Sequence, residues 1–327
     1  MREIIAAQFR DRVVHHLLYN YIYDILVKQF IQDSYSCIKG RGTHYGIERL
    51  REKIIRVSKN YSCPCYILKL DIEGYFMHID RAELLSLCKT MLEPYKEQLD
   101  YELVIYLLET IVLKDPLENC IMVGSPKERE GLPDKKTLTK SPPGKGLPIG
   151  NLTSQLLSNI FMDVFDKYME HITGGGCYGR YVDDSYVVGD SVAALCRIIP
   201  LARSFLRDVL GLTLNETKTA IYSAYRGVEF LGAYLKPYRT YVSNSCKKRM
   251  NRKIRALRSK APKDVFTSVN SYLGITSHYA AYNLRKEWMK GPLSFAFGFG
   301  YFTSQILTFK LQKSVYCSLT LTDNLGK

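Results

Sequence analysis

Two adjacent aspartates, Asp183 and Asp184, stand between two short apolar runs and constrain the fold more than any other feature of this sequence. Residues 177–182 and 185–188 have the length and composition of β-strands, and the glycines at 174–176 break the chain before them. So short a connection between two strands predicts a hairpin. The fold must therefore place two carboxylates at a hairpin tip, next to the element that supplies their partners.

A third carboxylate ends an earlier strand-like run. Residues 66–71 alternate with period two, which puts Lys69 and Asp71 on one face and the apolar side chains on the other. Carboxylate oxygens are ligands that Mg²⁺ prefers, and sites with two such ions catalyse phosphoryl transfer on nucleic acids. We therefore predict that Asp71, Asp183 and Asp184 meet and hold two Mg²⁺ ions, with Mn²⁺ as an alternative.

The remaining patterns predict an α+β fold. Asp80 and Glu83 have the spacing of a capping box that opens a helix. Pro200 predicts a kink or a break near Ile199 in a helix over 193–210. Further helices are predicted at 13–30, 43–59, 81–91, 98–113 and 153–170 and in the tail from 247, and further strands at 212–214, 219–223 and 228–235.

The chain is strongly basic, with 46 Lys and Arg against 32 Asp and Glu and a formal net charge of +14. This balance favours a polyanionic partner, and nucleic acid more than a membrane. Nine cysteines without the paired spacing of a zinc site indicate reduced thiols and a cytoplasmic location. The apolar segment 293–309 contains glycines and polar residues, so we expect a packed element or a protein-binding face there rather than a membrane span.

A series of motifs resembles those of reverse transcriptases, and more narrowly those of the diversity-generating retroelement enzymes. The narrower similarity is carried by residues 149–155, Ile-Gly-Asn-Leu-Thr-Ser-Gln, and by the fingers motifs at 10–14 and 39–44. The broader motifs are Asp71, Tyr75-Phe76, Tyr181-Val182-Asp183-Asp184, Lys218 and Phe230-Leu231-Gly232. The resemblance extends over about residues 2–283.

The resemblance implies a right-hand polymerase fold with fingers and palm subdomains and a helical thumb. It assigns 1–70 to fingers leading into the palm, 71–235 to the palm with fingers segments, and 236–327 to the thumb and a C-terminal extension. Residues 115–146, rich in turn-forming and charged types, are predicted to be an inserted surface loop. Relatives usually carry a further stretch before the first motif, so we expect the fingers to be N-terminally incomplete.

Catalytic roles follow for the residues around the carboxylates. Asp71 and Asp183 are the predicted bridging ligands of the two metal ions, and Asp184 is the auxiliary ligand. The peptide of Ile72 is predicted to lie beside the metals and the triphosphate. Lys218 is predicted to act as the general acid that protonates departing pyrophosphate, with an exposed strand lysine as the alternative.

A second group of residues is predicted to select the incoming dNTP. Phe76 would lie under its sugar and exclude a 2′-hydroxyl, or else would pack in the core. Gly150 would let the backbone approach the nascent base pair, beside an apolar contact from Ile149, and Gln155 would face the template or cap its helix. Phosphate groups are the predicted targets of Arg2, Arg10, Arg12, Lys39 and Arg41.

Primer and template are predicted to bind further along the chain. The resemblance places Tyr181, Phe230, Leu231 and Gly232 against the primer, where a glycine allows close backbone approach. Residues 243–263 form a dense basic run without an acid, which predicts a thumb helix on the template–primer backbone. The eight basic residues before Lys263 are Lys247, Lys248, Arg249, Arg252, Lys253, Arg255, Arg258 and Lys260.

The resemblance therefore implies an RNA-directed DNA polymerase that copies a template RNA into error-bearing cDNA, with errors at template adenines. It also implies a small basic helical accessory protein as partner. A group II intron-like, retron-like or abortive-infection reverse transcriptase is the alternative with the same chemistry. A nucleic-acid-binding scaffold with a vestigial palm is the alternative of another class.

Overall fold

The computed structural model describes residues 3–118, 120–121 and 132–312. The chain divides between Tyr222 and Ser223 into two compact units. Each unit has its own hydrophobic core. Arg2 and residues 122–131 of the predicted inserted loop lie outside the described residues.

Helices make up most of the first unit, and α1 shows how they meet the core. The helices are α1 (Phe9–Val27), α2 (Thr43–Val57), α3 (Tyr75–His78), α4 (Arg81–Leu92), α5 (Tyr101–Leu113), α6 (Leu152–Ile172) and α7 (Val192–Leu210). In α1, Leu18, Ile22 and Leu26 recur every four residues and are fully buried. Val13 and Leu17 are exposed, so only one stripe of the predicted apolar face packs inward.

The first unit contains a sheet whose strands follow the order β2-β3-β1-β4. Its strands are β1 (Tyr66–Asp71), β2 (Tyr178–Tyr181), β3 (Asp184–Gly189) and β4 (Ala220–Ser223). Strand β3 is antiparallel to both β1 and β2. The predicted strand and the predicted hairpin are thus confirmed, and they lie side by side.

Helix α6 supports this sheet. It packs against α1, α4, α7 and β2. Fully buried residues on it include Leu156, Leu157, Ile160, Phe161 and Phe165. A helix that is buried around most of its circumference lies inside a core, and here it forms the base on which the hairpin rests.

Asp80 and Pro200 are two residues from which the sequence predicts a helix start and a helix interruption, and the structure agrees with only the first. The Asp80 carboxylate accepts hydrogen bonds from the amides of Ala82 and Glu83, at 3.0 and 3.1 Å, which confirms the predicted start of α4. Of the two alternatives predicted at Pro200, the break is wrong, because α7 continues through this residue, and the kink stays a prediction. Pro200 lies on the exposed side of the helix, and the buried residues Leu195 and Leu206 anchor the helix on either side of it.

The second unit combines a small sheet with a helical part. Strands β5 (Val228–Phe230), β6 (Ala233–Lys236) and β7 (Arg239–Val242) form an antiparallel sheet in chain order. They are followed by α8 (Asn244–Arg255), α9 (Pro262–Ser277), α10 (Tyr282–Lys290) and the strand pair β8 (Gly300–Phe302) and β9 (Phe309–Leu311). Trp288 and Phe309 lie in its core.

The strand predicted over 228–235 is in fact two strands. Leu231 and Gly232, with φ of 49° and 83°, form the turn between β5 and β6. Left-handed backbone is rare for leucine, so apolar alternation in the sequence does not indicate this turn.

Helices and antiparallel sheets together confirm the α+β class. Among the described residues, no helix has both the length and the apolar character that a membrane crossing requires.

Candidate active site

The register of β1 and β3 places two of the predicted carboxylates opposite each other. Asp71, the last residue of β1, pairs with Asp184, the first residue of β3. Directly opposed residues of an antiparallel pair project from the same face, with Cβ atoms about 5 Å apart. Asp183 immediately precedes Asp184 in the hairpin turn. The three acids therefore lie at the ends of adjacent strands.

The hairpin turn is strained. Val182 has a φ of 58°, in the left-handed region that β-branched residues rarely adopt. Such backbone persists only where the surroundings hold it, and it occurs often at functional sites. Here the buried Arg180 donates a hydrogen bond to the Val182 carbonyl at 2.9 Å. The Arg180 guanidinium therefore stabilises the turn that carries Asp183.

Two lysines contact the opposed carboxylates. Lys218 donates to both oxygens of Asp71, at 3.0 and 2.9 Å, and the Asn215 amide donates to the same carboxylate at 3.0 Å. The Lys69 ammonium lies 3.1 Å from Asp184 Oδ1. Lys218 lies in the turn before β4, and its ammonium is next to the predicted catalytic acids.

The charges of the neighbouring carboxylates affect the pKa of Asp184. Burial raises the pKa of Asp184, the nearby Lys69 ammonium lowers it, and the charges of Asp183 and Asp71 raise it further, with a net increase. Because the charges of Asp71 and Asp183 act on Asp184, the three carboxylates form a donor set that attracts a cation. Since Mg²⁺ and Mn²⁺ prefer oxygen ligands, this donor set fits either ion.

The chemistry of the acidic side chains suits a metal ion, but their positions must also be compared with those of a metal site. Within residues 3–118, 120–121 and 132–312, no group of three or more His, Cys, Asp or Glu side chains is disposed to hold a metal ion. Lysine ammonium groups supply the positive charge at Asp71 and Asp184 instead. The assignment of metal ligands to Asp71, Ile72, Asp183 and Asp184 therefore stays a prediction.

The chain leaving β1 carries the two predicted residues that follow the first acid. Ile72 is buried and forms a backbone bridge with Leu214. Phe76, in α3, is half-buried with its ring centroid 5.2 Å from that of Tyr75. The Phe76 carbonyl accepts a hydrogen bond from the Leu147 amide at 2.8 Å. This bond ties the aromatic pair to the segment that leads into α6.

That segment is covered by the N-terminal residues, a contact that sequence reasoning did not predict. The Ile5 amide donates to the Ile149 carbonyl at 2.8 Å, and the Ala7 amide donates to the Asn151 side chain at 2.8 Å. Gly150 has a φ of +139°, and a Cβ there would lie 3.0 Å from the Ile5 carbonyl oxygen. The close approach predicted for a base pair at Gly150 is made here by the chain's own backbone.

A cleft of about 630 Å³ lies beside the hairpin and brings several predicted residues together. Gln155 and Tyr181 line it together with Lys39 and Arg41. The other lining residues are Tyr19, Tyr23, Asp24, Cys37, Ile38, Gly42 and Leu152. Aromatic rings and cations in one cleft are suited to bases and phosphates. One Arg41 nitrogen already donates to the carbonyls of Ile31 and Ser34, so this arginine also supports its loop.

A smaller cavity of about 270 Å³ adjoins the start of α6. Arg12 and Gln155 line it with Gly150, so three predicted nucleotide-site residues meet there. The Arg12 side chain donates to the Ala7 carbonyl at 2.7 Å, which again involves the N-terminal segment. Arg10 is exposed on the first turn of α1 and lines neither space.

Three of the four predicted primer contacts, Phe230, Leu231 and Gly232, belong to the second unit. The Phe230 side chain is only 1% exposed, so only the backbone of this residue is available for the predicted primer contact. Leu231 and Gly232 form the β5–β6 turn, where a Cβ on Gly232 would lie 2.8 Å from Cys246 Sγ. This close contact within the protein is sufficient to explain why a glycine occupies position 232, and no contact with nucleic acid is needed to explain it. The primer role of the turn stays a prediction.

The basic run forms the exposed face of α8 and the turn after it. Met250 and Ile254 anchor the helix in its core, whereas the basic side chains point to solvent. The exposed ones are Lys248, Arg249, Arg252, Lys253, Arg255, Arg258 and Lys260. Lys247 is half-buried and lies 3.8 Å from Glu287. Their sign and density suit a phosphate backbone.

Sequence reasoning missed three residues at the acids. Lys69 carried a signal, because alternation placed it on the same face as Asp71. Asn215 carried none, because its contact with Asp71 spans 144 positions of the sequence. Arg180 lies two residues before Val182, but its ion pair with Asp166 depends on the fold. A polar residue inside an apolar strand, as Arg180 is, can nevertheless mark a buried partner elsewhere.

The fold and the opposed acids are those expected of a right-hand polymerase. A family profile described as reverse transcriptase (RNA-dependent DNA polymerase) matches residues 1–235. This match covers more than half of the chain, and the chain belongs to the reverse transcriptase family, whose members are RNA-directed DNA polymerases. No curated protein matches the sequence.

Solved structures agree at the level of the fold. Apo telomerase from Candida tropicalis matches with a TM-score of 0.50 and 12% identity, over 88% of this chain and 49% of that one. Telomerase from the same yeast in complex with a TWJ fragment of telomeric RNA matches with a TM-score of 0.50 and 11% identity, over 96% and 47%. The chain thus spans about half the length of these telomerases. The likeness confirms the predicted reverse transcriptase fold.

Proposed function

We propose that this protein extends a DNA primer on an RNA template by two-metal phosphoryl transfer. The observation that carries the proposal is the pairing of Asp71 with Asp184, next to Asp183, at the strand ends of a reverse transcriptase fold. Template RNA, nascent cDNA and dNTPs are the substrates that this chemistry requires. The basic face of α8 is the proposed contact for the nucleic-acid backbone.

The chain's own residues have distinct roles in this reaction. Asp71, Asp183 and Asp184, with the Ile72 backbone, would hold Mg²⁺ or Mn²⁺, which supplies Lewis-acid stabilisation of the attacking and leaving oxygens. Lys218 would be the general acid that protonates the departing pyrophosphate, and its contact with Asp71 supports this role. Phe76 orients the sugar.

The finer proposal is that the enzyme serves a diversity-generating retroelement and makes error-prone cDNA. Its support is the stretch 149–155, with Ile149 where related enzymes have an amide, because a lost polar contact loosens base selection. The proposal includes a small basic helical accessory protein as partner and a cytoplasmic location. Telomeric RNA appears in the complex of a structural neighbour and is not assigned to this chain.

Primer extension on an adenine-containing RNA template tests this function. The wild-type protein is expected to incorporate dNTPs with errors concentrated opposite template adenine. Ile149→Gln should reduce those errors more than errors at other bases, because it restores an amide beside Gly150. Leu147→Met is the matched control, since Leu147 is buried on the same segment and should leave the error spectrum unchanged. Sequencing of the cDNA measures the spectrum, and equal spectra for wild type and Ile149→Gln would remove the role of Ile149.

A further inference from the structure

Arg180 is a buried arginine on β2 whose side chain is 1% exposed. Its guanidinium forms a forked ion pair with Asp166 of α6, with Nε 2.7 Å from Oδ1 and Nη2 2.6 Å from Oδ2. Tyr178 donates to the same carboxylate at 2.7 Å. The fork fixes the plane of the guanidinium, because both carboxylate oxygens are engaged.

The remaining nitrogen of this guanidinium reaches the hairpin turn. Arg180 Nη1 donates to the Val182 carbonyl at 2.9 Å, and this carbonyl belongs to the peptide that joins Val182 to Asp183. Val182 has the left-handed φ of 58° described above, so this bond holds a conformation that the residue itself disfavours. The backbone of Arg180 is also fixed, because its amide donates to the Asp33 carbonyl and its carbonyl accepts from the Tyr35 amide.

We propose that Arg180 is a positioning residue: anchored by Asp166, its guanidinium holds the Val182 carbonyl and so fixes the peptide that presents Asp183. This inference rests on the proposed function, because it assigns Arg180 a role in DNA synthesis. It makes the buried ion pair part of the active-site support and not only a core contact. Arginine suits this role because its planar fork can hold a carboxylate and a carbonyl together, which a lysine ammonium cannot do in the same geometry.

Three variants separate positioning from simple stability. Arg180→Lys keeps a positive charge for Asp166 and loses the fork, so it should fold but hold the turn poorly. Arg180→Met leaves Asp166 as an uncompensated buried charge and should lower stability. The double variant Arg180→Met/Asp166→Asn removes that charge, while the introduced amide oxygen can still accept from Tyr178. Its melting temperature should return towards the wild-type value.

The readouts are kcat, the KM for dNTP, and amide hydrogen exchange of the hairpin, residues 178–189. Arg180→Lys and the double variant should each lower kcat by about 10²-fold with the KM for dNTP little changed, since misplacing a reacting group by about 1 Å has effects of this size. Both should also exchange faster at the hairpin.

Arg81→Met is the matched control. Arg81 is also a buried arginine that donates to a backbone carbonyl, that of Lys114, at 2.9 Å, and this carbonyl lies outside the hairpin. This variant should lose stability and keep its kcat and its hairpin exchange at residues 178–183.

The outcomes distinguish this inference from the proposed function. If the wild-type protein incorporates no dNTP, the function fails, and hydrogen exchange still tests whether Arg180 holds the turn. Recovery of both stability and wild-type kcat in the double variant would overturn the inference, because Arg180 would then only neutralise Asp166. Unchanged hairpin exchange in Arg180→Lys would overturn it as well.

Discussion

Each acid of the opposed pair is held by a lysine from a different place in the chain. Lys69 from β1 holds Asp184 of β3, and Lys218 from the turn before β4 holds Asp71. The two carboxylates are therefore oriented by fixed positive charges before any substrate arrives. Because Lys218 is 63% exposed, we expect it to exchange its carboxylate partner for a substrate phosphate at little cost.

Phe76 tests sugar selection at the level of one side chain. Its ring is half-buried, so one part packs against the core while another stays accessible. Phe76→Ala should admit rNTPs, because the steric block to a 2′-hydroxyl is removed, and the ratio of rNTP to dNTP incorporation measures this. Tyr75→Phe is the control, since Tyr75 is buried and its hydroxyl bonds the Ser158 carbonyl. Continued rejection of rNTPs by Phe76→Ala would show that the ring serves packing.

At the scale of elements, the hairpin depends on a tight contact below it. Gly179 of β2 lies against Tyr35 and Tyr186, whose hydroxyl groups are 2.6 Å apart. A Cβ on Gly179 would lie 2.5 Å from the Tyr35 hydroxyl and 2.6 Å from the Tyr186 ring. The glycine is therefore required by packing against the two tyrosine hydroxyls at the hairpin base.

Gly179→Ala should lower the free energy of unfolding by about 1–3 kcal/mol, as overpacking of a filled core does. Gly274→Ala is the matched control, because Gly274 lies within α9 and a Cβ added there would meet nothing within 4 Å. That change should stabilise the protein by up to about 1 kcal/mol through helix propensity. Urea unfolding followed by circular dichroism measures both, and equal effects of the two changes would contradict the packing argument.

The elements that sequence could predict are those fixed by local chemistry. Alternation fixed β1 and the hairpin, and the Asp80 cap set the start of α4. The β5–β6 turn was not predicted because Leu231 adopts a left-handed conformation there, and leucine is not a residue that indicates such a turn. Pro200 misled the prediction because α7 is held on either side of it by tertiary packing, which outweighs one local preference.

The parts of the site that sequence could not predict all depend on contacts between distant residues. The Ile5 amide meets the Ile149 carbonyl, and Asn215 meets Asp71. Neither Ile5 nor Asn215 carries a periodic or motif signal, so only the fold reveals these two contacts. The acids themselves were recognisable, because adjacent carboxylates in an apolar hairpin are unusual without a function.

At the scale of the whole molecule, charge is concentrated where nucleic acid is expected to bind. The net charge of +14 includes the exposed basic face of α8 in the second unit. The sequence alone predicted this basic helix, because a dense run of one sign without acids is readable without knowledge of the fold.

Replacing Lys248, Arg252 and Arg255 by Gln should weaken binding to an RNA–DNA duplex and reduce its salt dependence. If each residue neutralises one phosphate, the slope of log affinity against log salt should become shallower by up to about 3. Binding measured by fluorescence anisotropy at several salt concentrations gives this slope. Lys96, Lys114 and Lys136, exposed lysines of the first unit, serve as the control triple. Equal slopes for the two triples would show that α8 is only a solvated face.

The most direct test of the proposed catalysis is single-nucleotide incorporation by Asp183→Asn on a primed RNA template with Mg²⁺, beside binding of the same template. We expect incorporation to fall below detection while RNA binding stays at the wild-type level, because the variant loses a carboxylate and not a binding surface. Asp190→Asn, an exposed change just beyond β3, should retain incorporation. Equal incorporation by the wild-type protein and Asp183→Asn would contradict two-metal catalysis at these acids.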